Sequence, residues 1–220
     1  MNRFLRKNAL KRAVIFVAAF VLLTVLLKIV DVRPIGPQET KVGFAALNGA
    51  FHHLTGVHEG LYQLTKWLGY LAILTAVFFA AVGLLELIAG KSLKKVDTDL
   101  LLLAALYAAT VILYVFFELV IVNYRPVILG TEPEASYPSS HTMVALVILG
   151  SAVYEFGIRI RKKQLRNILQ YACLALAVLI VLGRLFSGVH WFTDIAGGFL
   201  LGSALVFFFV YAVHKFRKKK

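Results

Sequence analysis

The sequence predicts an all-α, polytopic bundle of six membrane-spanning helices. Three observations carry this. Of the 220 residues, 60% are hydrophobic and only 16% charged, against roughly 25% charged in a soluble domain. The apolar residues gather into six long runs, and a helix needs ~20 such residues to cross a bilayer core of ~30 Å. No alternating pattern of a barrel accompanies them, so the backbone must satisfy itself as helix. The mean hydropathy of +0.81 excludes a disordered chain. The net charge of +13 does not point to nucleic acid, because the basic residues lie between apolar runs rather than along a folded surface.

The first run is Ala13–Val30, where Lys28 near the end can snorkel. Its basic lead resembles that of a signal peptide, but no small-x-small cleavage site follows it, so it reads as a retained span. The second is Leu68–Leu85, and the third is Leu100–Tyr124, interrupted by Glu118. The fourth, Ser139–Ile158, is the most polar; Asn167–Gly183 and Ile195–Val213 complete the set. A single cysteine, Cys173, excludes an internal disulfide framework.

Residues 1–220 read as one membrane domain with a basic N-terminus (1–12), an amphipathic segment (31–66) and a basic tail (214–220). Segments 1–12, 90–99, 158–166 and 214–220 hold eighteen Lys and Arg, and the alternate loops with their helix ends hold six. This bias places both termini in the cytoplasm. Segments 31–66, 123–138 and 184–194 then face outward. The first of these contains an amphipathic stretch, 42–51, expected to lie on the membrane surface. The basic ends read as solvated clusters attracted to anionic headgroups.

Polar residues at membrane depth are expensive and tend to be functional. Here they converge on the outward side. Arg125-Pro126 ends the third run, Pro138-Ser139-Ser140-His141 opens the fourth, and Arg184, His190 and Asp194 lie between the fifth and sixth. Two guanidiniums suit a phosphate. A helix start at Ser139–His141 offers free N–H groups, and the serines also fit as plain N-caps. His190 and Asp194 are four apart, so on a helix they share a face. The carboxylate would then fix the tautomer and leave the other ring nitrogen free to attack. His141 is a second proton carrier. A metal is not expected: the outward acids form no D-x-x-D cluster, and the set is a poor one for a hard cation. His52, His53 and His58 read as headgroup or surface contacts. Trp67 and Trp191 fit an interfacial belt, and Gly197, Gly198 and Gly202 fit close helix packing.

These three stretches resemble the signature of the PAP2 superfamily, K-x6-R-P, P-S-G-H and S-R-x5-H-x3-D, over residues 60–213. The resemblance implies a metal-independent lipid phosphatase with no cofactor. His190 would be the nucleophile that forms a phosphohistidine, and Asp194 would orient it. His141 would protonate the leaving group and then activate water. Arg125, Ser139 and Arg184 would hold the phosphoryl oxygens, with amides near Ser140. Three positions depart from the pattern: Glu118 for the lysine, Ser140 for the glycine and Gly183 for the serine. Glu118 is expected to brace Arg125 or Arg184 by pairing with its guanidinium, without touching the phosphate. The expected setting is the bacterial plasma membrane, with the site on its outer face and a lipid phosphate as partner. The first expected substrate is undecaprenyl diphosphate. Phosphatidate and phosphatidylglycerophosphate are alternatives, as is a non-catalytic protein that binds or transports lipid phosphates.

Overall fold

A computed structural model describes residues 5–217. Arg3 of the basic lead and Lys218–Lys220 of the tail lie outside the described residues. Among the described residues the named α-helices are, in order, α1 (Ala9–Leu26), α2 (Ala45–Thr55), α3 (Glu59–Gly90), α4 (Thr98–Leu119), α5 (Ser140–Arg159), α6 (Lys163–Phe186) and α7 (Phe192–Phe216). All but α2 are long and apolar enough to span a membrane. Among the described residues there is no strand, only two isolated bridges, Arg33 to Val42 and Tyr124 to Ala135. The protein is a six-span helical membrane bundle, as the sequence predicts.

The arrangement follows from polarity. α5 is the least apolar span, and 67% of its apolar 18-residue stretch is buried inside the protein, against 11% of the corresponding stretch of α3. In lipid, apolar side chains need no burial and polar ones do. So α5 takes the centre, packed by α3, α4, α6 and α7, while α1 lies against α7. Leu, Ile, Val and Phe side chains of α1, α3 and α4 point outward, among them Leu22, Leu74 and Ile112.

Several boundaries differ from expectation. The first span begins four residues earlier than the apolar run, because the helix continues through Lys11 and Arg12. The second begins at Glu59 rather than Leu68 and runs for 32 residues, about 48 Å at 1.5 Å per residue, so its first turns stand beyond the apolar layer. The 42–51 stretch forms most of α2, and α2 is docked rather than free. Asn48, fully buried, donates to the Gly43 carbonyl (2.8 Å) and Thr193 Oγ1 (3.0 Å) and accepts from the Thr193 N–H (3.2 Å). Phe51 packs on Phe192 at 5.3 Å. Leu47 and Leu54 remain outward.

Ionic contacts close the far end of the bundle. Arg159 at the end of α5 reaches Asp99 (2.6 Å), Glu155 (2.9 Å), Glu86 (3.4 Å) and Asp97 (3.5 Å), and Arg217 reaches Asp99 (3.5 Å). This cluster ties α3, α4, α5 and α7 together away from the three motif segments.

Candidate active site

The three motif segments meet at one end of the bundle. Arg125 does not end a helix: α4 stops at Leu119, and the chain turns through 120–139 before α5. Ser136 N–H bonds to the Asn123 carbonyl (3.1 Å) and Arg125 N–H to that of Glu134 (3.1 Å), closing this loop on itself. Ser139 is the N-cap of α5, and its Oγ accepts from the Thr142 N–H at 3.5 Å. Its own N–H donates to the Asp194 carbonyl (2.9 Å), which joins the loop to α7. Gly198 makes this contact possible, since a Cβ there would lie 2.6 Å from the Ser139 carbonyl oxygen.

His190 and Asp194 do not share a helix. α7 starts at Phe192, and His190 lies in the preceding turn. Gly188 sets that turn with φ +70°, and a Cβ on it would strike the Gly56 carbonyl at 1.9 Å. Only glycine meets both conditions. Asp194 folds back as a cap: its Oδ2 accepts from the Trp191 N–H (2.9 Å) and its Oδ1 from Asn123 Nδ2 (3.1 Å). Asp194 is fully buried.

The closest approach of His190 Nδ1 to Asp194 Oδ2 is 3.6 Å, too long for a hydrogen bond. Ser136 stands between them. Its hydroxyl donates to Asp194 Oδ2 and lies 3.1 Å from His190 Nδ1. With the serine proton on the carboxylate side, Nδ1–H donates to Ser136 Oγ, and Nε2 carries the free lone pair. Burial holds the His190 imidazolium down, to about 4; Asp194 opposes the shift and the charges of Arg125 and Arg184 add to it. The ring is therefore neutral at pH 7.

Arg184, in the last turn of α6, has no exposed surface. Among the described residues its three guanidinium nitrogens find no hydrogen-bond partner. The ring of Tyr62 lies 4.7 Å away, a cation–π contact of roughly 2 kcal/mol when desolvated. Arg125 is also buried and reaches Glu134 at 3.2 Å, while its Nη1 is unpaired. His190 Nε2 and His141 Nδ1 are likewise buried without partners. His141 lies within electrostatic reach of Arg125, Arg184 and His190. Unpaired buried donors each cost about 1–3 kcal/mol, a cost that an anion accepting from them would offset.

Ser140 and His141 open onto a cavity of about 410 Å³ between α3, α4 and α5, otherwise lined mostly by apolar side chains such as Ile73, Val144 and Ile180. A second, separate apolar cavity of about 320 Å³ lies further along α3 and α4, towards Leu87 and Val96, with Tyr107 lining both. Together the linings of the two cavities span Lys66 to Leu87 of α3, 21 residues or about 31 Å of helix.

Glu118 braces neither arginine. It is exposed, forms no ion pair among the described residues, and lines a small pocket of about 10 Å³ with Ser136, Ser140 and His190. The acid on Arg125 is Glu134 instead. Asn123, Ser136, Glu134 and Tyr62 were not legible as site residues. The signal within reach was their position, one turn or loop from a motif residue. Among the described residues no three His, Cys, Asp or Glu side chains gather into a metal-binding group, the histidines at 52, 53 and 58 included.

The PAP2 superfamily matches residues 99–218. No curated protein matches by sequence. The fold is similar to the crystal structure of the first transmembrane PAP2-type phosphatidylglycerolphosphate phosphatase from Bacillus subtilis, with a TM-score of 0.68 at 19% identity over 95% of this chain and 99% of that one. The family match covers more than half of the sequence and all three motif segments, and on it the chain belongs to the PAP2 superfamily.

Proposed function

We propose that this membrane phosphatase hydrolyses a lipid diphosphate or phosphomonoester, with undecaprenyl diphosphate as the first substrate to test and phosphatidate and phosphatidylglycerophosphate as alternatives. One observation carries the reading: two buried arginines and two histidines, several of their nitrogens unpaired, converge beside an apolar cavity between α3, α4 and α5 that Ser140 and His141 line. An apolar tail suits the cavity, and a phosphate suits the unpaired donors beside it. The positive bias of the opposite loops supports cytoplasmic termini and an extracytoplasmic site in a bacterial plasma membrane.

In the proposed reaction, Arg125, Arg184, Ser139 and Ser140 hold the phosphoryl oxygens, and Ser139 also caps α5. His190 Nε2 attacks phosphorus as the bond to the leaving oxygen breaks, and His141 gives that oxygen a proton. Asp194, acting through Ser136, stabilises the charge on the His190 ring. Water then attacks the phosphohistidine, His141 takes its proton, and the P–N bond breaks to free phosphate. No step needs a metal.

The test is phosphate release by detergent-purified protein in EDTA, with C55 diphosphate, phosphatidate and phosphatidylglycerophosphate compared side by side. Release with C55 diphosphate preferred, and abolished in His190→Ala, is expected. Equal release by wild type and His190→Ala overturns the mechanism. A preference for phosphatidylglycerophosphate, the substrate class named for the Bacillus subtilis structure, favours the second reading. Tight lipid-phosphate binding without release supports a non-catalytic role.

A further inference from the structure

Two departures from the family signature, Gly183 and Glu118, meet their explanation on α3. A Cβ on Gly183 would lie 2.4 Å from Thr65 Cγ2, and Thr65 is buried. The missing side chain therefore lets α3 seat directly on the α6 turn that carries Arg184. Residues 62, 65, 66 and 69 share one helix face, and that face is turned to the site. The Tyr62 ring lies 4.7 Å from the Arg184 guanidinium and 5.5 Å from Lys66 Nζ. Lys66 is half-buried and forms no ion pair among the described residues. It lines the mouth of the 410 Å³ cavity together with Ser140 and His141, and it is the one charged side chain there besides the histidine.

His141 lies within electrostatic reach of Arg184, His190 and Lys66 alike, and Lys66 and His141 line the same apolar cavity. The Lys66 ammonium therefore stands near the site with no anionic partner among the described residues. The position 118 lysine of the family pattern is absent, and its replacement, Glu118, lines a different pocket.

We propose that Lys66 binds the inner phosphate of a lipid diphosphate, the phosphate that stays on the lipid when the terminal one moves to His190. This rests on the phosphatase reading above. In that step the bond between the terminal phosphorus and the bridging oxygen breaks, and its electron pair stays on the bridging oxygen. The departing group is a lipid monophosphate that accepts one proton from His141, and the Lys66 ammonium offsets its charge. A monoester departs as a plain alcohol and has no second phosphate for Lys66 to hold. Lys66 is thus a specificity residue for diphosphates.

The test compares farnesyl diphosphate with farnesyl monophosphate, two substrates with one tail, on the full-length protein in detergent. The quantity read is the ratio of the two kcat/KM values, which cancels any loss of folded enzyme. Lys66→Gln is expected to lower this ratio by about tenfold or more, ~1.4 kcal/mol, and Lys66→Arg to keep most of it. An unchanged ratio in Lys66→Gln, or an equal loss in Lys66→Arg, overturns the proposal. If wild type releases phosphate from neither substrate, the phosphatase reading itself fails, and that outcome is distinct.

Discussion

Ser136 stands between His190 and Asp194, so the carboxylate reaches the imidazole through a hydroxyl rather than directly. Asp194 is anchored independently by Trp191 and Asn123, so it should keep its place when the serine is removed. Ser136→Ala is predicted to lower kcat by roughly 10–100-fold with KM little changed, the usual scale for losing an orienting partner. Steady-state kinetics check this. A kcat within twofold of wild type would show that the bridge is dispensable.

His190 is predicted to stay neutral well below the ordinary histidine range, because burial depresses its pKa to about 4. The acid limb of kcat/KM due to this group should then fall near pH 4 rather than ~6.5, once the substrate's own ionisation is divided out. The sign for stability follows from proton uptake. Between ~6.5 and about 4 the unfolded chain holds the extra proton, so stability falls as pH drops through that window. A limb at 6.5 would mean that the ring is more solvated than its burial implies.

Glu118→Lys is predicted to leave the melting temperature unchanged, since Glu118 is exposed and unpaired among the described residues. It should lower KM for a lipid phosphate severalfold, within about tenfold, by placing a cation beside the His190 pocket. An increase in KM would be incompatible with this placement.

Gly183→Ser restores the family residue but drives a side chain into Thr65 Cγ2 at 2.4 Å. Overpacking of this kind costs about 1–3 kcal/mol. Thr65→Gly should relieve most of it, and a double-mutant cycle in thermal unfolding measures the coupling. Additive effects would mean that α3 does not sit where Gly183 admits it.

Much of the architecture was legible because lipid imposes one rule: polar atoms must be hidden. The six apolar runs gave the six spans, and the most polar run, Ser139–Ile158, became the buried centre. The three motif segments likewise gathered at one end. What the sequence hid was relational. Helix periodicity placed His190 and Asp194 on one face, yet Gly188 turns His190 out of the helix, and Ser136, 54 residues away in the chain, supplies the contact. Glu118 read as a brace only while the 120–139 loop was unfolded. Once folded, that loop brings Glu134 to Arg125. Lys66 lay among residues assigned to an outward segment, because the apolar run begins at Leu68 although α3 begins at Glu59.

The Arg159 cluster was equally hidden, and it supports a separate prediction. Arg159→Ala leaves Asp99 and Glu155, both fully buried, without their principal partner. Breaking a buried ion pair from one side costs about 3–5 kcal/mol, read as a lowered melting temperature in detergent. A shift of under 2 °C would show that the acids are neutral in the folded state.

That cluster also bounds the space between the helices. Arg159 clasps α3, α4 and α5 at the end remote from the three motif segments, and the 320 Å³ cavity between α3 and α4 ends beside it, at Leu87 and Val96. Under the function proposed above, a tail lying between α3 and α4 would meet this clasp at its far end, so the ionic cluster would set how deep an acyl or prenyl chain reaches.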